Sequence, residues 1–83
     1  MYNKNIDLHG FDREYARFKV LEFIEDSYKE GISTVSIIHG NGSGILKKEV
    51  QNVLKNNKYV LDYKINMFNP GETLVKLRDS IDK

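Results

Sequence analysis

The two histidines of the chain, His9 and His39, each stand at the end of a short apolar run. Histidine titrates near neutral pH, so this pair suits the acid and base roles of a proton-transfer reaction. Asp7 stands two residues before His9, where its carboxylate could orient an imidazole or an attacking group. The alternatives are structural. A strand-end histidine often only makes a hydrogen bond that supports the fold, and Asp7 could accept hydrogen bonds from the turn at residues 10–12.

A glycine-rich loop follows His39, with glycines at positions 40, 42 and 44. The apolar residues after this loop recur at helical spacing, at Leu46, Val50, Val53 and Leu54. A strand, a tight turn and a helix in this order leave backbone N–H groups free at the positive end of the helix, which is a natural seat for a phosphate. The candidate phosphate-binding residues are Gly40, Asn41, Gly42, Ser43, Gly44, Lys47 and Lys48. The alternative is that the glycines only make a short connection and that the lysines are solvated.

Composition indicates one small globular domain. The chain has 83 residues, of which 40% are hydrophobic and 30% charged, which favours a folded domain over a disordered one. No apolar run approaches the roughly 18 residues that span a bilayer, and no hydrophobic signal segment follows Met1. The absence of cysteine excludes disulfides and thiolate chemistry. We predict a single domain over residues 1–83, with a core at about 5–78 and short tails, in a cytoplasmic protein that has no membrane partner.

The formal net charge of +1 is too small to drive nucleic-acid binding by overall charge. Any recognition of phosphate must therefore come from a local cluster. Lysines concentrate in the second half of the chain and acids between Glu14 and Glu30, an asymmetry that usually marks only solvated surfaces.

Hydrophobic periodicity predicts four strands and two helices in the order β-α-β-α-β-β. The predicted strands cover residues 5–9, 34–39, 59–68 and 73–78, and the predicted helices cover residues 13–29 and 45–56. Asp12 is the candidate N-cap of the first helix, and residues 30–31 are its predicted end. The turn chemistry of residues 69–72 predicts an antiparallel hairpin between the last two strands.

Periodicity also predicts which side chains are buried. The first helix should bury Ala16, Val20, Phe23 or Ile24, and Ser27, with Leu21 and Tyr28 widening this face. Alternation over the third strand places on one apolar face Tyr59, Leu61, Tyr63, Ile65 and Met67. We expect the two tyrosines to lie in the core. Phe68 falls on the opposite face, where it could stack on a base, although a buried strand-end aromatic is the more common case.

The order of elements predicts the architecture. Right-handed crossovers place both helices on the same face of the sheet, which gives a two-layer α/β sandwich with a four-stranded mixed sheet. The first two strands are then parallel and adjacent, so their carboxyl ends lie at one edge. We therefore expect Asp7, His9, His39 and the glycine-rich loop to meet there.

Two tetrapeptides resemble the motifs of a known family. Asp7-Leu8-His9-Gly10, followed by a helix, resembles its DLHG motif. His39-Gly40-Asn41-Gly42 resembles its HGxG motif, and residues 43–47 resemble what usually follows it. The pair, at this spacing and in this order of elements, is similar to the small MutS-related (Smr) domain over residues 6–77. This domain occurs alone or as the C-terminal domain of bacterial MutS homologues of the anti-recombination, ribosome-rescue type.

The resemblance implies a fold similar to the C-terminal domain of translation initiation factor three. It also implies nucleic-acid binding, with nicking or RNA-cleaving endonuclease activity in several members. The positions that it carries over are Asp7, His9, Gly10, His39, Gly40 and Gly42. The chain departs from the family in the connection at residues 69–72, which is short where the family commonly has a longer glycine-rich loop.

With a nucleic acid as substrate, the hypothesis becomes cleavage or nicking of a DNA or RNA phosphodiester. His9 and His39 would share the acid and base roles, with Asp7 as the orienting group. The amides of residues 40–44, with Gly10 and the two lysines, would hold the phosphate. In a second hypothesis Asp7 and His9 ligate a divalent metal, Mg²⁺ or Mn²⁺, that activates water, although the sequence requires no cofactor.

Two other functions stay open. The first is a non-catalytic module that docks DNA, RNA or ribosomes for a larger MutS-like system. The second is a small phosphate-ligand or protein-docking domain. The sequence leaves open the choice between DNA and RNA, the oligomeric state and whether the domain stands alone.

Overall fold

The computed structural model of the chain describes residues 3–79. These residues form four strands and two helices in the predicted order: β1 (Asn3–Asp7), α1 (Arg13–Lys29), β2 (Thr34–Ile38), α2 (Ile45–Lys55), β3 (Val60–Asn66) and β4 (Asn69–Leu77). The tail positions 1–2 and 80–83 of the predicted domain lie outside the described residues.

Helix α1 has the predicted bounds because its ends carry the predicted capping residues. The Asp12 side chain accepts a hydrogen bond from the backbone N–H of Tyr15 at 2.8 Å, which satisfies one free donor of the first turn. At the other end Gly31 has φ +79° and donates its N–H to the carbonyl of Tyr28. The buried residues are those predicted, Ala16, Val20, Phe23, Ile24 and Ser27. Leu21 is 40% exposed and does not extend this face.

Strand β2 lies inside the sheet, whose order is β1-β2-β4-β3. It pairs in parallel with β1 and antiparallel with β4, and β3 and β4 form an antiparallel hairpin. The predicted adjacency of the first two strands is thus confirmed. At one edge Ile38 is opposite both Asp7 and Glu72, so the ends of β1 and β2 meet the early part of β4 there.

The core lies between the sheet and the two helices, which also pack against each other. Burial of its apolar side chains is the main stabilising contribution to the fold. Tyr59 and Tyr63 are half-buried and pack against the core, as expected. The buried side chains come from all six elements or their immediate flanks, and those fully enclosed include Leu8, Val20, Ile24, Ile37 and Val75. Within residues 3–79, neither helix has the length and apolar character required to cross a membrane.

The hairpin turns earlier than predicted. The turn is formed by Met67 and Phe68, and the residues predicted as turn, from Asn69 onward, begin strand β4. Asn66 pairs with Asn69 across the turn, and its side-chain oxygen accepts the backbone N–H of Phe68 at 2.9 Å. This hydrogen bond forms a tight turn without glycine, so the Asn-Pro-Gly sequence at 69–71 is left to the strand.

Exposure along β3 also corrects the predicted apolar face. An irregularity between Val60 and Asp62 shifts the alternation, so that Val60 is buried while Leu61 is 51% exposed. Met67 is exposed in the turn. Phe68, expected as a buried strand-end aromatic, is 91% exposed.

The two strands that precede the histidines end earlier than predicted. β1 ends at Asp7 and β2 at Ile38, so His9 and His39 both lie in the loops that follow. Helix α2 begins at Ile45 as predicted and ends at Lys55. Both histidines are therefore placed by turn geometry and by their own contacts.

Candidate functional site

One edge of the sheet brings the predicted catalytic residues together. Asp7 and Ile38 are partners in the parallel register of β1 and β2, and the N–H of Leu8 continues the pairing by donating to the Ile38 carbonyl at 2.9 Å. A shallow pocket at this edge, here called the histidine pocket, is lined by Asp7, His9, Gly10, Ile38, His39, Gly40 and Leu46. The sequence-predicted acid and both imidazoles thus line one pocket.

His39 is the buried member of this pocket, with 7% exposure. Its Nδ1 lies 3.1 Å from the carbonyl oxygen of Gly40, and its Nε2 lies 2.8 Å from Oγ1 of Thr73. Because a carbonyl oxygen only accepts, Nδ1 must carry the proton, and in the neutral ring Nε2 then accepts from the Thr73 hydroxyl. Both ring nitrogens are engaged, so proton transfer by His39 would first have to break one of these bonds.

Asp7 and His9 are exposed. Oδ1 of Asp7 accepts the backbone N–H of His9 at 2.9 Å, so the carboxylate supports the turn after β1. The donor is His9 rather than the residues at 10–12 considered above. The His9 ring makes no hydrogen bond to any residue of the described range, 3–79. Gly10, with φ +85°, completes this turn. His9 is therefore the imidazole that solvent or a substrate can reach.

The carbonyl of Gly71 fixes the start of the glycine loop, which we define as residues 40–44. It accepts the N–H groups of both His39 and Gly40, each at 2.9 Å. The two backbones approach so closely that a Cβ on Gly71 would lie 3.2 Å from backbone carbons of Gly40. Glycine at position 71 therefore serves close packing of β4 against the loop.

Backbone conformation favours glycine at two positions of the loop, 40 and 44, but not at position 42. Gly40 and Gly44 have φ +83° and +88°, a left-handed conformation that L side chains rarely adopt. Gly42 has no positive φ, and a Cβ there would meet no protein atom within 4 Å. Neither backbone conformation nor packing within the described chain thus requires glycine at position 42.

Backbone donors are free in this loop. Gly44 caps α2 without a side-chain hydrogen bond, and the nearest local contact is from the Ile45 N–H to Oγ of Ser43 at 3.4 Å. The N–H groups of residues 41–44, and those of Leu46 and Lys47, have no hydrogen-bond partner in the described part of the chain. These donors lie at the positive end of the α2 dipole, which favours an anion.

The two lysines after the loop carry charge that no acid among residues 3–79 pairs with. Lys47 is half-buried and Lys48 exposed, and neither forms a salt bridge with a described residue. By contrast, Lys19 of α1 is held by Glu22, and the hydrogen bond and charge of that carboxylate raise the pKa of Lys19. Lys47 and Lys48 are thus available to a phosphate near the loop.

The donor set does not fit a tightly held divalent metal. Asp7 and His9 would be the ligands, and Asp7 already gives one oxygen to the His9 N–H. Among residues 3–79 no group of three or more histidine, aspartate or glutamate side chains is placed to hold a metal ion. Divalent cations of the Mg²⁺ type need more oxygen ligands than this pair supplies, from the protein, water or substrate.

Sequence reasoning missed two residues at this edge. Thr73, fully buried on β4, is the partner of His39, and its signal was a polar residue on the strand face that also carries Val75. Arg13 lines a neighbouring pocket together with Ser43 of the glycine loop. Its signal was a cation at the first position of α1, where the helix dipole disfavours positive charge.

The fold and the site define a class of protein: a small two-layer α/β domain with a glycine loop and two histidine-bearing turns at one edge of a mixed sheet. The family model of the Smr domain matches residues 6–78. The chain therefore belongs to the Smr domain family.

Curated relatives are much longer proteins. The chain is 36% identical over 70 residues to endonuclease MutS2 of Clostridium acetobutylicum, a match that covers 84% of this chain and 9% of that protein. It is also 36% identical over 76 residues to endonuclease MutS2 of Clostridium botulinum, covering 88% of this chain and 10% of that protein. The chain thus spans a small part of the length of these relatives.

Solved structures confirm the fold. The Smr domain of Thermus thermophilus MutS2 matches with a TM-score of 0.87 and 29% identity, over 90% of this chain and 98% of that one. YdaL, a stand-alone small MutS-related protein from Escherichia coli, matches with a TM-score of 0.86 and 26% identity, over 90% of this chain and 64% of that one. The predicted fold class and the resemblance to Smr domains are both confirmed.

Proposed function

We propose that this chain is a nucleic-acid-binding domain that holds a backbone phosphate on the glycine loop and cleaves a phosphodiester bond at the histidine pocket. One observation carries the proposal: the free donors of residues 41–44 lie at the same sheet edge as the exposed pair Asp7 and His9. The similarity to MutS2 proteins, which are named endonucleases, supports the same conclusion. The target is a DNA or an RNA strand.

The glycine loop supplies the anion site. Its free N–H groups and the positive end of α2 attract negative charge. The open space at Gly42 lets a phosphate oxygen approach the backbone. Lys47 and Lys48 add local charge to a protein whose formal net charge is only +1. Gly10 lines the histidine pocket, which the glycine loop borders at Gly40.

His9 is the proton-transfer residue in this proposal. Its exposed ring takes the proton from a water or a 2′-hydroxyl while that oxygen attacks phosphorus and the bond to the leaving oxygen breaks. The loop amides stabilise the charge on the phosphoryl oxygens, and the leaving oxygen is protonated by water. The free oxygen of Asp7 orients the attacking group.

His39 is a positioning residue here rather than the second acid or base. Its hydrogen bonds to Thr73 and to the Gly40 carbonyl connect β4 to the glycine loop and hold the loop backbone in place. A test of this role must show a change that loss of structure alone would not produce. Rescue of cleavage in His39→Asn or His39→Gln, which retain amide hydrogen bonding, supports positioning.

The second candidate function is a binding module without catalysis, acting on DNA, RNA or ribosomes within a larger MutS-like protein. Two observations favour it. The chain spans 9% and 10% of the MutS2 relatives, so other parts of such a protein could do the chemistry. The histidine pocket also offers one free imidazole where acid–base catalysis usually uses two groups.

Cleavage and binding assays on the same variants separate these functions. End-labelled RNA and supercoiled plasmid are incubated with the wild type, Asp7→Ala, His9→Ala and His39→Ala, while binding is followed by fluorescence anisotropy. We expect His9→Ala to lower the cleavage rate by roughly 10²- to 10⁴-fold with little change in binding. Equal cleavage by all four proteins would reject the catalytic assignment, and binding without any cleavage would favour the module.

Two further readouts define the chemistry. Cleavage that persists in EDTA supports the acid–base route, and its loss supports a metal bound with the substrate's help. A 2′,3′-cyclic phosphate on the product identifies the RNA's own hydroxyl as the nucleophile. The cytoplasmic location and the ribosome partnership stay predictions.

A further inference from the structure

Two large apolar side chains at the tip of the β3–β4 hairpin are almost fully exposed. Met67 is 84% exposed and Phe68 is 91% exposed, the highest values among the large apolar side chains of residues 3–79. A polar pair such as Asn-Gly would close a two-residue hairpin without exposing apolar surface. The folding of the described chain therefore gives no reason for an aromatic ring at this position.

The hairpin tip extends from the part of β4 that contacts the glycine loop. The first residue of β4 in register with β2 is Glu72, so residues 69–71 extend past the end of β2. The Gly71 carbonyl holds this extension against Gly40. Phe68 is three residues from Gly71, so their Cα atoms lie within about 11 Å of each other.

The backbone under Phe68 is fixed by one side chain. Oδ1 of Asn66 accepts the Phe68 N–H at 2.9 Å, and Nδ2 of Asn66 donates to Oε1 of Glu72 at 2.8 Å. These two bonds brace the turn against the strand that contacts the glycine loop. A ring presented from a braced turn loses less conformational freedom on binding than one on a loose loop.

We propose that Phe68, with Met67 beside it, is a stacking platform for an unpaired nucleobase next to the phosphate held by the glycine loop. This inference rests on the proposed function and names its substrate class: a single strand, or a loop or end with unpaired bases, in preference to continuous duplex. In a duplex the bases are stacked on one another, whereas an unpaired base offers its face to an aromatic side chain. Phenylalanine has no hydrogen-bonding group, so this contact tolerates any base.

A tryptophan reporter tests the contact directly, because the chain has no tryptophan. Phe68→Trp places the fluorophore at the hairpin tip. Phe18→Trp is the matched control, since Phe18 is 58% exposed on α1 and lines neither pocket at the sheet edge. Titration with a single-stranded oligonucleotide should quench the emission of Phe68→Trp and leave that of Phe18→Trp unchanged. Absence of quenching at position 68 under saturating oligonucleotide would overturn the inference.

Affinities give an independent readout. Phe68→Ala should weaken binding of the single strand by roughly 5- to 150-fold, Phe68→Tyr should retain it, and Phe18→Ala should not change it. Binding of the same sequence as a blunt duplex should change much less. Wild-type affinity in Phe68→Ala overturns the stacking proposal alone. A wild type that binds no oligonucleotide rejects the proposed function together with it.

Discussion

Nε2 of His39 lies 2.8 Å from the hydroxyl oxygen of Thr73, and both side chains are buried although they are 34 positions apart in the sequence. The hydrogen bond joins the loop after β2 to the middle of β4. It gives His39 a structural role in the fold in addition to its place in the histidine pocket.

Thr73→Val should destabilise the protein by about 1–3 kcal/mol, because Nε2 of His39 would be left buried without a partner. Valine has nearly the shape of threonine, so packing is largely kept. Urea denaturation measures the free energy of unfolding. Thr34→Val is the control, because Thr34 lies at the other end of β2 and its side chain makes no hydrogen bond within the described residues. This variant should change the free energy of unfolding by no more than about 0.5 kcal/mol. Equal losses in the two variants would argue against the His39 bond.

Alanine at two positions of the glycine loop should separate folding from binding. Gly40→Ala should cost about 1–2 kcal/mol of stability, because φ at this position is positive. Gly42→Ala should leave stability unchanged, because the added Cβ meets no protein atom, yet it should weaken oligonucleotide binding by filling the phosphate seat. Thermal denaturation and anisotropy on the same samples check both. Unchanged binding in Gly42→Ala would move the phosphate site away from this residue.

Asp7→Asn should keep the fold while changing the chemistry. The asparagine oxygen can still accept the His9 N–H, so the turn is preserved, whereas Asp7→Ala loses it. Removing a negative charge beside a phosphate should leave oligonucleotide binding equal or tighter, while the cleavage rate falls. If cleavage by Asp7→Asn matches that of the wild type, the carboxylate charge has no catalytic role.

The charge of Lys47 and Lys48, at the start of α2, should appear in the salt dependence of binding. Lys47→Gln and Lys48→Gln should each weaken binding to every sequence and lower the slope of log affinity against log salt by roughly 0.7–0.9. Lys55→Gln, at the opposite end of α2, is the matched control. Slopes that fall equally in all three variants would indicate a diffuse electrostatic effect.

Helix α1 and the pairing of β1 with β2 were predictable because their determinants are local. Asp12 caps the helix, its apolar face repeats with helical spacing, and a crossover of this length forces a parallel neighbour. The antiparallel hairpin of β3 and β4 was also predicted, but the position of its turn and the buried face of β3 were not. Its turn depends on the side chain of Asn66, and the irregularity after Val60 breaks the alternation that the sequence displays. Neither the hydrogen bond of Asn66 nor the irregularity after Val60 can be predicted from hydrophobic periodicity.

The candidate site was likewise predictable only in part. The meeting of Asp7, His9 and His39 follows from topology, and topology follows from the order of elements. The partner of His39 does not, because it comes from a strand whose register is set by long-range pairing. Without Thr73 in view, the two histidines look equivalent; with it, one is enclosed and the other is free.

The carbonyl of Gly71 fixes the start of the glycine loop, whereas the N–H groups of residues 41–44 make no hydrogen bond within the described chain. The amide hydrogens of His39 and Gly40, which it binds, should exchange with deuterium as slowly as those of the central strands, whereas the amides of residues 41–44 should exchange at once. A nucleic-acid strand that binds residues 41–44 would meet N–H donors whose positions the sheet already fixes. Little backbone freedom would then be lost on contact, which lowers the entropic cost of binding.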